Sequence, residues 1–327
     1  MPQIPIVITC GELLLRLDTL RHERFVQSHE LRASYTGGEA NVAVALSQWG
    51  LPTRILSRVP EHDLGTACLN HFRRYGVDTR YVARGGDRLG ILFVETGASQ
   101  RGSKVIYDRA RTSFGQIGVA DIDWDQAFDG AGWFHFTGTA PAISPESRTV
   151  LRHAISVARS RGIPISMDCS YLSALWSIDA ARDVLQPLLT DVDVFLGSES
   201  DAGTFFGIRE TGEACLEALR SAYGLACVAF TEREASSHGI DSDWGSVATD
   251  SGVATTRRYE IDVVDRIGSG DAFAAGVIRG LLHGRRPSEI AEFAVAAAVL
   301  AHSIPGDFLL ATPAEVEAVA RQTPQVK

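Results

Sequence analysis

No apolar run in this chain is long enough to cross a bilayer. The longest, Ala294 to Ala301, is eight residues and alanine-rich, where a spanning helix needs about 20. Met1 to Cys10 holds no basic stretch ahead of its short apolar run Ile4 to Ile8, so it reads as a first strand rather than a signal peptide. The chain also lacks an excess of positive charge. Its 31 Lys and Arg against 40 Asp and Glu give a net charge of -9, which excludes a nucleic-acid binder working through a broad basic face. An anionic ligand held by a few arginines stays open. Cysteine is sparse and unpaired: Cys10, Cys68, Cys169, Cys215 and Cys227 are odd in number and too scattered for a paired metal motif. Cys10, Cys169 and Cys227 end or sit in apolar strand-like runs, so they are expected as buried thiols in a reducing, cytoplasmic setting. No internal repeat, low-complexity tract or linker interrupts the sequence. The expectation is a single domain over 1–327, with no membrane or nucleic-acid partner.

What is present is a regular alternation. Thr53 to Val59, Trp133 to Thr137, Ile163 to Asp168, Val192 to Leu196 and Ala226 to Thr231 are short β-branched and aromatic runs. Helical patterns lie between several of them. Asn41 to Trp49 closes at Gly50, Gly65 to Tyr75 closes at Gly76, and a helix opening at Ser144-Pro145 runs to Gly162. Another helix falls near Ala214 to Tyr223. The C-terminal part reads as helices over Ala272 to His283 and Ser288 to His302, and Thr312 to Glu315 forms a capping box for a last one. Strands alternating with helices of this length imply an α/β fold with a mostly parallel sheet covered on both faces.

Two stretches break the rhythm. Arg16 to Tyr35 has no helical period, and Leu89 to Asp108 holds two strand-like runs, Ile91 to Val94 and Val105 to Tyr107, around the turn-rich Gly97 to Gly102. Together they read as a small antiparallel sheet projecting from the main one: either a lid over a site or a plain surface hairpin.

The segment from Val263 to Asp271 passes from a strand-like stretch into a helix. Gly268 and Gly270 flank the small Ser269, so the backbone can turn tightly and aim amides into one space. The following helix adds its own N-terminal amides and the positive end of its dipole. Phosphate oxygens suit such a place. A carboxylate there, Asp271, is either a base that accepts a proton from an attacking hydroxyl or an ordinary acid in a helix first turn. The spacing of Gly268, Gly270 and Gly276 does not fit a dinucleotide fingerprint, and no Walker-type phosphate loop occurs anywhere in the chain.

Asp265-Arg266-Ile267-Gly268-Ser269-Gly270-Asp271 resembles the DTxGAGD signature of the PfkB, or ribokinase-like, carbohydrate kinases. Thr36-Gly37-Gly38-Glu39-Ala40-Asn41-Val42-Ala43 resembles that family's N-terminal sugar-binding segment. Gly11 to Leu17, Lys104 to Arg109, Leu175-Trp176, and the run from Glu292 to Phe308 are most similar to its 2-keto-3-deoxygluconate kinase branch. The resemblance implies a three-layer α/β/α sandwich with a small β-sheet lid, its segments near 12–36 and 88–112. It implies ATP-dependent phosphorylation of the primary hydroxyl of a sugar or sugar acid, with Mg2+ and a monovalent cation such as K+, in a homodimer formed through the lid. Asp271 would be the base, with Gly268, Ser269 and Gly270 holding phosphate. Gly37, Gly38, Asn41, Tyr107, Arg109 and Asp168 would meet the sugar, and Ser198, Thr231 and Arg233 the nucleotide. A guanidinium such as that of Arg109 can pair with a carboxylate through two bonds.

The sequence departs from the common family pattern at four places, and at one of them, Arg233, the keto-acid branch can carry an arginine too. Leu172 stands where the keto-acid kinases carry an arginine, which favours another or a neutral sugar. Ser198 to Asp201 replaces the NxxE motif, keeping oxygen ligands with a shorter reach; Asp201 would touch Mg2+ through water. That change would also suit a catalytically weak sugar-binding relative. Arg233 replaces the usual glycine after Thr231, and Arg266 the usual threonine.

Overall fold

The computed structural model describes residues 4–234 and 241–321; the remaining parts of the expected 1–327 domain lie outside the described residues. In chain order the strands are β1 Ile6–Cys10, β2 Leu14–Thr19, β3 Leu31–Thr36, β4 Thr53–Val59, β5 Val82–Arg84, β6 Gly90–Glu95, β7 Lys104–Asp108, β8 Ala131–Thr137, β9 Ile165–Asp168, β10 Val194–Gly197, β11 Cys227–Glu234, β12 Asp241–Thr249, β13 Gly252–Thr255 and β14 Tyr259–Ile261. The helices are α1 Gly38–Gln48, α2 Asp63–Arg73, α3 Trp124–Ala127, α4 Pro145–Ser160, α5 Ile178–Leu189, α6 Glu199–Phe206, α7 Glu213–Tyr223, α8 Ser269–Leu282, α9 Pro287–Ala301 and α10 Pro313–Arg321.

Local signals explain many of these boundaries. Ser144 caps α4 by accepting from the Ser147 amide at 2.9 Å, a contact that stabilises a helix by about 1 kcal/mol. Thr312 and Glu315 cap α10 reciprocally. Helix α1 starts at Gly38, three residues ahead of the Asn41 start that the apolar pattern suggests. Its first turn, Gly38 to Ala40, carries little apolar signal for a periodicity to detect.

The main sheet has the order β13-β12-β11-β10-β9-β8-β1-β4-β5. From β11 to β5 all pairs are parallel. Beyond β11 the edge turns antiparallel, with β13 and β14 both paired to β12. Parallel strands buried on both faces need apolar side chains on both faces. Trp133 and Phe134 on β8 show it: Trp133 packs into the layer of α1, α8, α9 and α10, and Phe134 into the layer of α4 to α7. Each such buried side chain contributes roughly 1.5–3 kcal/mol. In the first layer α8 and α9 meet backbone to backbone: a Cβ on Gly276 would lie 2.6 Å from the Ala294 Cα.

The second sheet has the order β3-β2-β6-β7. The sequence suggested a wholly antiparallel sheet, and this is corrected by the central pair. β2–β3 and β6–β7 are antiparallel hairpin pairs, but β2 and β6 run parallel. They are separated by β3, α1, β4, α2 and β5, a crossover long enough to bring the chain back in the same direction. β7 is exposed along its whole length, whereas β2 buries Leu14, Arg16 and Thr19.

Candidate active site

In open α/β sheets ligands collect beyond the carboxyl ends of the parallel strands. There the structure gathers Glu12 after β1, Thr137 and Thr139 at and after β8, Asp168 at β9, Ser198 after β10 and Thr231 on β11. The N-termini of α1 and α8 point to the same place. α8 has Gly268 as its N-cap, and no side chain among the described residues caps it. Its first-turn amides therefore have no intrahelical acceptor and are available to an anion. Gly268 has φ +90°, and a Cβ there would sit 2.1 Å from the Asp307 carbonyl oxygen. Around Gly270 the space is open.

Asp271 lies half-buried in the first turn of α8. Asn41 Nδ2 donates to Asp271 Oδ2 at 2.7 Å, and Thr36 Oγ1 donates to Asn41 Oδ1 at 3.3 Å. Asn41 thus orients the carboxylate, and Gly38 lies close enough that a Cβ would be 3.4 Å from Asp271 Oδ1. Burial pushes the Asp271 carboxyl up to about 7 against the Asn41 hydrogen bond, with the carboxylates of Asp168 and Glu39 adding to the rise.

Two cavities meet at this point. One, of about 280 Å3, is lined by Gly37, Gly38, Asn41, Tyr107, Arg109 and Asp271 among others. The second, of about 290 Å3, is lined by Gly270, Thr231, Ser198, Asp201 and Asp168. Ser170 and Tyr171 border both. Asp271 opens to the first and Gly270, its neighbour, to the second.

Most of the sequence-predicted residues line these two cavities; Asp168, expected at the sugar, lines the second with Gly270, and Gly268, Ser269 and Arg233 line neither. Arg109 does reach the first cavity from the lid, but its Nε donates to Glu12 Oε2 at 2.7 Å, and its guanidinium lies 5.6 Å from the Tyr107 ring centre. Leu172 lines that cavity beside it. Asp201 Oδ2 accepts from the Ser198 amide at 2.9 Å and the Ser198 hydroxyl at 2.7 Å, so the altered NxxE motif forms the capping box of α6. Arg233 is tied to Asp243 at 2.8 Å and lies 3.4 Å from the Ser269 hydroxyl. Ser269 is buried.

Sequence reasoning missed the carboxylates behind the first cavity. Glu39 Oε1 accepts from the Thr137 amide at 3.1 Å and its hydroxyl at 2.7 Å, and burial raises its carboxyl above the usual range. Glu12 is 4% exposed. Both sit inside motifs that the sequence displays, next to Gly11 and Gly38, but nothing local shows that they point inward. Also unforeseen is the support under the loop. Arg16 reaches Asp265 at 2.6 Å, and the His302 carbonyl accepts from the amides of Val264 at 2.9 Å and Asp265 at 3.2 Å.

A parallel sheet that ends on an uncapped helix N-terminus, with a carboxylate between two cavities, has the form of a phosphotransferase acting on a hydroxyl. The chain belongs to the pfkB family of carbohydrate kinases, which it matches over residues 7–308; it has the ribokinase-like α/β fold and is a carbohydrate kinase. It is 30% identical to 2-dehydro-3-deoxygalactonokinase of Haloferax volcanii over 317 residues, 96% of each chain. The crystal structure of 2-dehydro-3-deoxygluconokinase from Thermotoga maritima is 39% identical, covers 98% of this chain and 99% of its own, and superposes with a TM-score of 0.95. A putative ribokinase II from E. coli in complex with ATP and Mg2+, 20% identical over 96% of this chain and 98% of its own, shares the fold with a TM-score of 0.82.

Proposed function

We propose that this kinase transfers the γ-phosphoryl group of ATP to the primary hydroxyl of a 2-keto-3-deoxy sugar acid, in first place 2-keto-3-deoxygluconate. The observation that carries the reading is the place of Asp271, an oriented carboxylate at the junction of the two cavities. The sugar occupies the cavity beneath Tyr107 and Arg109, and the phosphates occupy the one that Gly270 opens into. Asp271 accepts the proton of the hydroxyl as its oxygen attacks in line. The first-turn amides of α8, with Gly268, Ser269 and Gly270, hold the phosphoryl oxygens as charge shifts across them. The lid sheet shields the sugar from water.

Mg2+ bound with ATP would offset the charge of the phosphates. The residues fit it: Asp168 and Asp201 line one cavity, and burial together with the Asp201 charge pushes the Asp168 carboxyl up to about 7, a repulsion that a divalent cation relieves. Asp168 and Asp201 would hold it directly or through water. A monovalent cation fits less well at the head of the loop, where Arg16 already pairs with Asp265; no step here depends on one. A homodimer through the lid is supported by the edge strand β7, where Val105 and Ile106 are 40% and 42% exposed. A cytoplasmic setting is supported by five buried, free cysteines.

A second reading, a neutral sugar, is favoured by Leu172 and by the Glu12 partner that neutralises Arg109. ADP release should be measured across 2-keto-3-deoxy sugar acids, hexoses, pentoses and nucleosides. Turnover confined to the keto-acids supports the first reading. Turnover with a neutral sugar alone replaces it with the second, and binding without turnover overturns both.

A further inference from the structure

Leu14 and Arg16 are two residues apart on β2, so their side chains leave the same face of the lid strand. Leu14 touches the sugar-side cavity. Arg16, 2% exposed, reaches beneath the catalytic loop. Its Nη2 lies 2.6 Å from Asp265 Oδ2, its Nη1 donates to Asp307 Oδ1, and its Nε donates to Asp18 Oδ1 at 2.8 Å. Asp265 and Asp307 are the two sides of the loop's seat. Asp265 heads the loop and accepts from the amides of Ile267 and Gly306, both at 3.1 Å. Asp307 presents the carbonyl against which Gly268 is packed. One guanidinium therefore pins both walls that fix Gly268, and it does so from the lid.

The charge balance is unfavourable for a device that only adds stability. Three carboxylates surround one guanidinium in a largely buried place, and Asp307 Oδ2 has no hydrogen-bond partner among the described residues. Buried ion pairs about break even against apolar packing of the same volume. What this cluster gains is geometry: a planar fork sets directions that a flexible ammonium cannot.

We infer that Arg16 is a positioning residue for phosphoryl transfer, fixing the height of the Gly268–Gly270 amides relative to the sugar bound under β2. The inference rests on the carbohydrate kinase activity and on no particular sugar.

The test compares two buried arginines in the full chain. Arg54 on β4 is 4% exposed and holds Asp78 and the Ala127 carbonyl, remote from the loop. Arg16→Lys and Arg54→Lys should both lower Tm. Only Arg16→Lys should lower kcat, by about 10²-fold, with the KM values for ATP and sugar changing less than about threefold. Millimolar guanidinium should restore part of the kcat of Arg16→Ala and none of any loss in Arg54→Ala. Equal kcat per folded molecule in Arg16→Lys and Arg54→Lys overturns the inference. If the Arg16 variants do not fold, Asp265→Asn cuts the same link from the loop side and should reproduce the kcat loss; an unchanged kcat there overturns it equally. Hydrogen exchange separates this from an error about the substrate. Whatever sugar the enzyme takes, amides 265–270 should exchange faster in Arg16→Lys (or Asp265→Asn) while β8 and β9 do not change, and unchanged loop exchange refutes the role.

Discussion

The two cavities that meet at Asp271 are nearly equal, about 280 and about 290 Å3, but they are made of different material. The sugar-side wall is built from side chains committed to one another: Asn41 to Asp271, Glu12 to Arg109, Glu39 to Thr137. The phosphate-side wall mixes backbone with side chains: Gly197 and Gly270 stand in it with Asp168, Ser198, Asp201 and Thr231, at the open first turn of α8. The difference explains which departures from the family pattern are tolerable. Arg266 and Ser269 alter side chains beside a backbone device and leave its amides in place. Leu172 alters the sugar-side wall itself, so it bears on which hydroxyl compound is accepted rather than on whether phosphate moves.

The largest effect expected is at the junction of the two. Asp271→Asn should lower kcat by about 10²–10⁴-fold while calorimetry still detects ATP binding; retained turnover would remove Asp271 from the mechanism. The two loop glycines then divide the start of α8 into fold and function. Gly268→Ala places a Cβ against the Asp307 carbonyl at φ +90° and should cost about 1–3 kcal/mol of stability in a denaturant titration. Gly270→Ala meets no atom within 4 Å beyond its own helix turn among the described residues; it should leave that titration unchanged and raise the KM for ATP. If Gly270→Ala unfolds the protein instead, the open space there is not the phosphate's.

On the sugar-side wall, Leu172→Arg should raise kcat/KM for a sugar acid over the matching neutral sugar by about tenfold, the worth of one charge-assisted hydrogen bond. A smaller effect comes from charge alone. With its carboxyl pushed up to about 7, Asp271 becomes competent as a base as pH rises through that value, and kcat/KM should rise with it. The same shift acts on stability with the opposite sense. The folded state holds this proton more tightly than the unfolded one, so stability is full below the unfolded value of about 4 and is lost as pH rises through about 7. Asp271→Asn should therefore raise Tm by roughly 2–4 °C at pH 8, and leave it unchanged at pH 4, by calorimetry.

The sequence made the alternation, the caps at Ser144 and Thr312 and the strand Thr53–Val59 legible, because each signal sits within one window of chain. Gly37, Asn41 and Asp271 were legible as a pair of motifs, and they do share one cavity. The direction of β6 against β2 was not, since parallel pairing is decided by a crossover rather than by either strand. Nor was the commitment of side chains. Glu12 and Arg109 are 97 residues apart, and Arg16 and Asp265 are 249 apart, so no periodicity connects them. Asp201 read as a metal ligand because its position in the motif is visible, while its hydrogen bonds to Ser198 appear only once α6 is seen to begin there.

At Gly276 and Ala294, α8 and α9 approach so closely that a Cβ on Gly276 would lie 2.6 Å from the Ala294 Cα. Side-chain rotamers are the usual source of play between packed helices, and at this one contact the only side-chain atom is a methyl carbon with no rotamers. The N-terminal end of α8, where we place the phosphate, is thus one jaw of a vice whose bedplate is a two-helix block. Any closing stroke in the catalytic cycle falls to the opposite jaw, the four lid strands. A turnover rate limited by closure would then respond to changes in the lid hinges and stay indifferent to the surface of α9.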